Sequence, residues 1–302
     1  MKQPHKEHAP CVEDPDLFMA MDDLELVAHG VVEGLLSGGH KSKFIGFSNE
    51  FDSHRKYIVG DDLRHVNWNL WAKTDRLYVK QYEADTNLNL YLLMDQSRSM
   101  LAQNGGHTKW AYAARAAASL AYLSLRNRDA TGLFLLEREW GVSLPPAVKG
   151  GHLQHLVALL EQSVVADEFP ITRMLDQLPE MMQHRGIVVL FSDLMDNEQE
   201  LLEHLDQFKQ MGHEVIVFQV LDPYEVELPT SNGWFEFVGL EGGGKRKGNT
   251  KQLAEAYQLV VKRWQDRLYN RFKEIGVDWV KVTTNQPLQD VLVEYLLKRI
   301  HH

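Results

Sequence analysis

The feature that most constrains the fold of this chain is a regular alternation of short apolar runs and longer helical segments after residue 87. The short runs are apolar at consecutive positions, as in Ile187–Phe191. Such runs are typical of parallel strands that helices cover on both sides. We therefore predict an α/β fold with a doubly wound, mostly parallel sheet. The predicted strands cover residues 88–94, 130–137, 186–191, 214–221 and 279–283, and the predicted helices residues 108–126, 153–161, 171–183, 198–211, 251–275 and 287–300.

The first 86 residues lack this alternation and divide into two parts. Residues 1–16 are charged and contain few apolar side chains, which predicts a disordered tail. Residues 17–36 carry apolar side chains at three- or four-residue spacing, which predicts an amphipathic helix, and residues 41–86 read as short strands and turns. We expect a tail (1–16), a helix with a β-rich segment (17–86) and an α/β domain (87–302).

Composition and charge exclude several classes of protein. The 32 Lys and Arg against 42 Asp and Glu give a formal net charge of −10, which argues against a nucleic-acid partner, because phosphate binding needs a concentrated basic face. The chain has no apolar run of the roughly 20 residues that span a membrane, and its N-terminus lacks an apolar signal core. We expect a soluble cytoplasmic protein, in an oligomeric state that the sequence does not indicate.

A candidate metal-binding loop follows the first strand of the alternation. Asp95 ends that strand, and Ser97 and Ser99 follow at steps of two. In an extended loop this spacing directs the three side-chain oxygens to one side. A carboxylate and two hydroxyls suit Mg²⁺, with Mn²⁺ or Ca²⁺ as alternatives, better than zinc. The alternative is that Asp95 only caps a turn, in which case the loop holds no metal.

A second strand predicts a further ligand at the same edge of the sheet. Ligands of doubly wound sheets bind at the carboxyl ends of the strands. Asp193 follows the strand Ile187–Phe191 and therefore lies at the same edge as Asp95. Three ligands leave an octahedral shell incomplete, so Asp193 is the natural candidate for completing it.

These residues resemble the metal-ion-dependent adhesion site of von Willebrand factor A domains, in which D-x-S-x-S opens the site. The resemblance implies that a threonine from a later loop and an aspartate from a further strand end complete the metal shell. By order and position, Thr172 matches the threonine and Asp193 matches the aspartate. The resemblance therefore implies five metal-site residues: Asp95, Ser97, Ser99, Thr172 and Asp193.

An upstream signature resembles that of the bacterial domain-of-unknown-function 58 (DUF58) family, in which R-x-Y-x-x-G-D-x-x-R-x-x-x-W precedes the D-x-S-x-S strand. The matching positions are Arg55, Gly60, Asp61, Arg64 and Trp68. The chain has Asn67 where the family usually has aspartate. Either arginine could grip a partner's carboxylate as a fork. Alternatively, an Arg–Asp pair locks the β-rich segment onto the sheet, with the tryptophan in the core.

The resemblance implies a binding protein rather than an enzyme. Its implied partner is a MoxR-type AAA+ ATPase, with a role in chaperone-like maturation or assembly of other proteins. An acidic side chain of the partner would complete the metal shell. The alternatives are a metal-dependent phosphohydrolase that uses Asp95, and a metal-free scaffold. The sequence does not show the acids and bases that usually surround a hydrolytic metal.

One further run resembles a phosphate-binding loop. Gly239–Lys245 satisfies G-x-x-x-x-G-K, but Arg246 stands where Ser or Thr is required for Mg²⁺ coordination. We interpret it as a hairpin turn.

Overall fold

The computed structural model describes residues 53–56, 78–81, 88–104, 107–136, 143–163, 172–195, 198–228, 234–238 and 245–300. The expected tail (1–16), the N-terminal helix (17–36) and the signature residues Gly60, Asp61, Arg64 and Trp68 lie outside these ranges. Two strands of the β-rich segment are described, β1 (Ser53–Lys56) and β2 (Tyr78–Gln81), and they pair antiparallel. Arg55 lies in β1, opposite Val79.

The main sheet of the described residues has six strands. In chain order they are β3 (Asn89–Asp95), β4 (Ala130–Leu136), β5 (Ser143–Ala147), β6 (Gly186–Ser192), β7 (Glu214–Leu221) and β10 (Asp278–Thr283). Their order across the sheet is β10-β7-β6-β3-β4-β5, and every neighbouring pair is parallel except β4 and β5. The chain runs outward from β3 to β5 and then crosses back to β6. The point where the order reverses therefore lies between β3 and β6.

Eight helices are described. They are α1 (Lys109–Arg126), α2 (His152–Gln162), α3 (Thr172–Leu175), α4 (Leu178–Met181), α5 (Glu198–Gln210), α6 (Pro223–Val226), α7 (Thr250–Ile275) and α8 (Leu288–Ile300). The core on one face of the sheet includes side chains of α1, α2 and α8. The core on the other face includes side chains of α3, α4, α5 and α7.

The strands supply both cores because successive side chains point to opposite faces. Leu92 packs with α1 and α2, whereas Leu93 packs on the opposite face, and both are fully buried. The same alternation holds in β6 for Val188 and Val189. The predicted doubly wound, mostly parallel α/β fold is confirmed.

The structure differs from the prediction at an edge strand and at one helix, and it adds the short helix α6. The edge strand β5 was not predicted, because its sequence Ser143–Ala147 contains two prolines, which lack the amide hydrogen of a ladder and occur mainly at sheet edges. The predicted helix over residues 171–183 is divided into the short helices α3 and α4. Pro179 lies in the first turn of α4, where a proline starts a helix rather than continuing one.

The run that resembles a phosphate-binding loop joins two strands, β8 (Trp234–Val238) and β9 (Lys245–Asn249), which pair antiparallel. The predicted hairpin is therefore confirmed, although residues 239–244 lie outside the described ranges. No helix among the described residues is long and apolar enough to cross a membrane.

Candidate metal site

The Asp95 loop, residues 95–99, starts at the point where the strand order reverses. Met94 pairs with Phe191 across β3 and β6, so Asp95 and Ser192 end two adjacent parallel strands. In open α/β sheets the crevice at this point is where ligands bind. The fold therefore places the loop at the position that the sequence predicted for it.

Hydrogen bonds bring the oxygens of the Asp95 loop together. The Ser97 amide donates to Asp95 Oδ1 at 2.8 Å. The hydroxyls of Ser97 and Ser99 are hydrogen-bonded at 3.0 Å. The 3₁₀ helix Arg98–Leu101 follows directly, and its Met100 is fully buried, which anchors the loop in the core. One carboxylate and two hydroxyls thus lie side by side, as the spacing predicted.

The Asp95 carboxylate is buried and has no neutralising partner among the residues that the structure describes. Its side chain is 1% exposed, and it forms no ion pair with a Lys, Arg or His of the described chain. Ser192 Oγ donates to its Oδ2 at 2.5 Å. Burial, and then the charge of Asp193, raise the pKa of Asp95 to about 7, although hydrogen bonds from Ser192 and Ser97 lower it. A cation beside this carboxyl would favour its ionised form.

Asp193 is held in place by three groups. Lys109 Nζ donates to its Oδ2 at 2.7 Å, the Met195 amide donates to its Oδ1 at 3.0 Å, and Gln219 Nε2 donates to its carbonyl oxygen at 3.3 Å. The next residue, Leu194, has a φ of 63°. A left-handed conformation costs a leucine about 1–2 kcal/mol. The turn keeps this conformation while Leu194 is buried and its amide donates to Ser192 Oγ.

Lys109 is a buried cation at the same edge of the sheet. It is 0% exposed, and its Nζ lies 2.7 Å from Asp193 Oδ2 and 2.6 Å from Glu225 Oε1. It opens α1 directly after the N-cap Thr108, where the helix dipole disfavours a positive charge. Burial lowers the pKa of Lys109, but the negative charges of Asp193 and Glu225 raise it by more. The pKa is therefore raised, and the ammonium stays protonated.

Glu225 and Asp222 belong to a capping box that starts α6. Asp222 Oδ1 accepts from the Tyr224 amide and Glu225 Oε2 accepts from the Asp222 amide, both at 2.8 Å. Asn104 connects this box to the segment after the Asp95 loop, since its amide donates to Asp222 Oδ2 at 2.8 Å. The ends of β3, β6 and β7 are thus tied into one polar network.

The predicted ligand Thr172 forms no described hydrogen bond with the Asp95 loop. It starts α3 and is 1% exposed, and its Oγ1 has no hydrogen-bond partner among the described residues. A buried hydroxyl without a partner costs about 1–3 kcal/mol. Thr172 has the vacant hydroxyl that a ligand needs, and its role as a ligand stays a prediction.

The donor set fits a hard divalent cation. Asp95, Ser97 and Ser99 provide oxygen donors, and the Thr172 hydroxyl has no hydrogen-bond partner among the described residues. The described residues contain no group of three His, Cys, Asp or Glu side chains that could hold a metal. A site here would therefore depend on hydroxyl ligands, which suit Mg²⁺ better than zinc.

Sequence reasoning missed six residues of this network: Asn104, Lys109, Ser192, Gln219, Asp222 and Glu225. The spacing of aspartate, proline and glutamate at the start of a helix is found in residues 222–225. Glu225 could therefore have been predicted from the sequence as part of a helix N-cap. Nothing in the linear pattern indicates that the Lys109 ammonium is buried, because its partners lie 84 and 116 positions away.

Solved structures with similar folds share little sequence with this chain. The conserved hypothetical protein BatB from Bacteroides thetaiotaomicron is 15% identical, with a TM-score of 0.46 over 71% of this chain and 98% of that one. The VWA domain of SpRpn10 is 10% identical, with a TM-score of 0.40 over 68% of this chain and 93% of that one. The fold class accordingly rests on the sheet order described above.

The sequence comparison identifies the family. Uncharacterized proteins of Mycobacterium bovis and Mycobacterium tuberculosis are each 29% identical to the chain over 224 residues, 72% of this chain and 69% of each relative. Residues 53–267 match the family described as "Protein of unknown function DUF58". This match spans more than half of the chain, so the chain belongs to the DUF58 family, as its motifs predicted.

Proposed function

We propose that this DUF58 protein is a protein-binding module that holds a divalent cation, Mg²⁺ above all, at the Asp95 loop. An acidic side chain of a partner protein completes the shell of the cation. The observation that carries the proposal is the buried Asp95 carboxylate, which has two hydroxyls beside it and no described cationic partner. A buried carboxylate of this kind is stabilised by pairing or by a metal, and without either it takes up a proton more readily, as its raised pKa shows.

Each residue of the site contributes a different group to binding the cation. Asp95 supplies the negative charge, and the Ser97 amide fixes the orientation of its carboxyl group. Ser97 and Ser99 supply neutral oxygens, and Thr172 adds a hydroxyl that has no partner within the described part of the chain. The bound cation would supply a Lewis-acidic position that accepts a carboxylate oxygen.

The polar network supports a binding function better than it supports a hydrolytic function. Metal-dependent hydrolysis needs a base near the metal-bound water. Among the described residues, Ser192 and Ser97 hydrogen-bond to the Asp95 carboxyl, Lys109 to the Asp193 carboxyl and Gln219 to the Asp193 backbone. A protonated lysine and a serine that donates its hydrogen are not bases, so we propose that the protein is not an enzyme.

For the partner we propose the class that the family resemblance implies, a MoxR-type AAA+ ATPase. The pair would act in maturation or assembly of other proteins. The chemical requirement on the partner is a Glu or Asp side chain that can reach the carboxyl edge of the sheet. No nucleic acid or membrane is part of this proposal.

A capture experiment with the purified ATPase tests the proposal. We expect the wild-type protein to retain the ATPase in millimolar Mg²⁺ and to lose it in EDTA, and we expect Asp95→Ala to lose it in both. Asp266→Ala, which removes an exposed carboxylate of α7, is the matched control and should behave as wild type. Full retention by Asp95→Ala, or retention that EDTA does not change, would refute a metal bridge.

A further inference from the structure

The two carboxylates at the ends of the adjacent strands β3 and β6 differ in whether a cation is paired with them. Asp193 is paired with the buried ammonium of Lys109, whereas Asp95 forms no ion pair within the described chain. Both are at least 98% buried, with 2% exposure for Asp193 and 1% for Asp95. The difference therefore comes from the placement of Lys109 and not from access to water.

Moving the ammonium of Lys109 away from Asp193 would destabilise the protein, because a buried ion pair would be broken. Lys109 is 0% exposed and held between Asp193 and Glu225 at 2.7 and 2.6 Å. Glu225 in turn accepts from the Asp222 amide, and the Tyr257 hydroxyl donates to the Glu225 carbonyl oxygen at 2.8 Å. Removing one partner of such a buried pair leaves an uncompensated charge. Lys109 is therefore a fixed positive charge beside the site.

A fixed cation next to a metal site changes which ligands the metal takes. Lys109 lies on Asp193 and is shared with Glu225, so it offsets part of the charge of Asp193, and Asp95 is left as the carboxylate of the pair with no cation beside it among the described residues. The metal then keeps part of its positive charge in a buried site, where charges interact more strongly than in water. Lys109 also repels the metal directly. Metal binding is weakened when no anion is present and strengthened when one arrives.

We infer that Lys109 makes metal binding and acidic-partner binding depend on each other, by keeping Asp193 from neutralising the metal. The inference rests on the proposed function and adds a positioning residue to it. Because coupling between two ligands is reciprocal, the partner's carboxylate must raise metal affinity by the same factor by which the metal raises affinity for the carboxylate.

Mn²⁺ titrations followed by electron paramagnetic resonance, with and without acetate, test this inference. For wild type we expect weak Mn²⁺ binding that acetate tightens. For Lys109→Met we expect Mn²⁺ alone to bind at least about tenfold more tightly, a difference of about 1.4 kcal/mol, and the acetate effect to shrink. Lys298→Met removes an exposed lysine that pairs with Glu294 on α8, and it should match wild type.

A second variant keeps the inference testable if Lys109→Met does not fold. Lys109→Met with Glu225→Gln removes one of the two carboxylates that would be left without a partner, and circular dichroism checks its fold. The same tightening of Mn²⁺ binding is expected. Unchanged or weaker Mn²⁺ binding in the folded variants, with binding present in wild type, would overturn the inference alone. Absence of Mn²⁺ binding from wild type and variants, with acetate present, would overturn the proposed metal site together with it.

Discussion

Asp129 is a further buried carboxyl, directly before β4 and away from the Asp95 loop. It is 6% exposed, and burial raises its pKa to about 6 although a backbone hydrogen bond at Leu88 lowers it. Its folded pKa thus lies above the ordinary value of 3.8. A carboxyl of this kind stabilises the fold while it is protonated, and that stability is lost as the pH rises through about 6.

Asp129→Asn should therefore stabilise the protein at neutral and higher pH. The amide keeps the shape of the side chain and removes the buried charge. We expect the free energy of unfolding in urea to rise by about 1 kcal/mol more near pH 8 than near pH 5, because part of the loss between pH 3.8 and about 6 is already present at pH 5. The exposed Asp278→Asn is the control. An equal gain at both pH values would show that the charge of Asp129 is not the cause.

At the residue scale, part of the candidate site could be predicted. The steps of two in Asp95, Ser97 and Ser99 and the position of Asp193 after a strand follow from local pattern, and the structure brings these residues to one edge. The ion pairs of Lys109 could not be predicted, because they depend on three chain segments meeting in the fold.

At the element scale, the pairing of β3 with β6 leaves no space for a side chain at Gly186, the first residue of β6. Gly186 pairs with Asn89, and a Cβ at Gly186 would lie 2.0 Å from the carbonyl oxygen of Asn89. No side chain fits at that distance unless the backbones of the two central strands move apart. The glycine is therefore required by the pairing that aligns Asp95 with Ser192.

Gly186→Ala should destabilise the fold. We expect the free energy of unfolding to fall by about 1–3 kcal/mol, as for other overpacked sites, in urea denaturation followed by circular dichroism. Gly150→Ala is the matched control, because a Cβ there meets nothing within 4 Å. Its effect should stay within about 0.5 kcal/mol. Equal stability of the two variants would contradict the close pairing of β3 and β6.

The elements that could be predicted are those with strong periodicity. The long helices α1 and α7 and the apolar strands β3, β6 and β7 lie within a residue or two of their predicted bounds. The edge strand β5 could not be predicted because its prolines oppose strand structure, and it depends on pairing with β4, which the local pattern does not show.

At the scale of the whole molecule, the strand order could not be deduced from the alternation alone. Alternating strands and helices predict a parallel sheet with covered faces, yet several strand orders satisfy that pattern. The order found here places the switch point between β3 and β6 and so joins Asp95 to Ser192 and Asp193. The family relationship and the fold are established on this chain, and metal-dependent binding is the function proposed for it.

The measurement that tests this account most directly is a calorimetric Mn²⁺ titration in acetate buffer, comparing wild type with the Ser97→Ala and Ser99→Ala double variant. Wild type is predicted to bind one Mn²⁺ per chain, and the double variant to bind it at least about tenfold more weakly. Ser119→Ala, which removes a buried hydroxyl of α1, should bind as wild type does. Equal Mn²⁺ affinity in wild type and the double variant, or no binding by wild type, would contradict a metal site at the Asp95 loop.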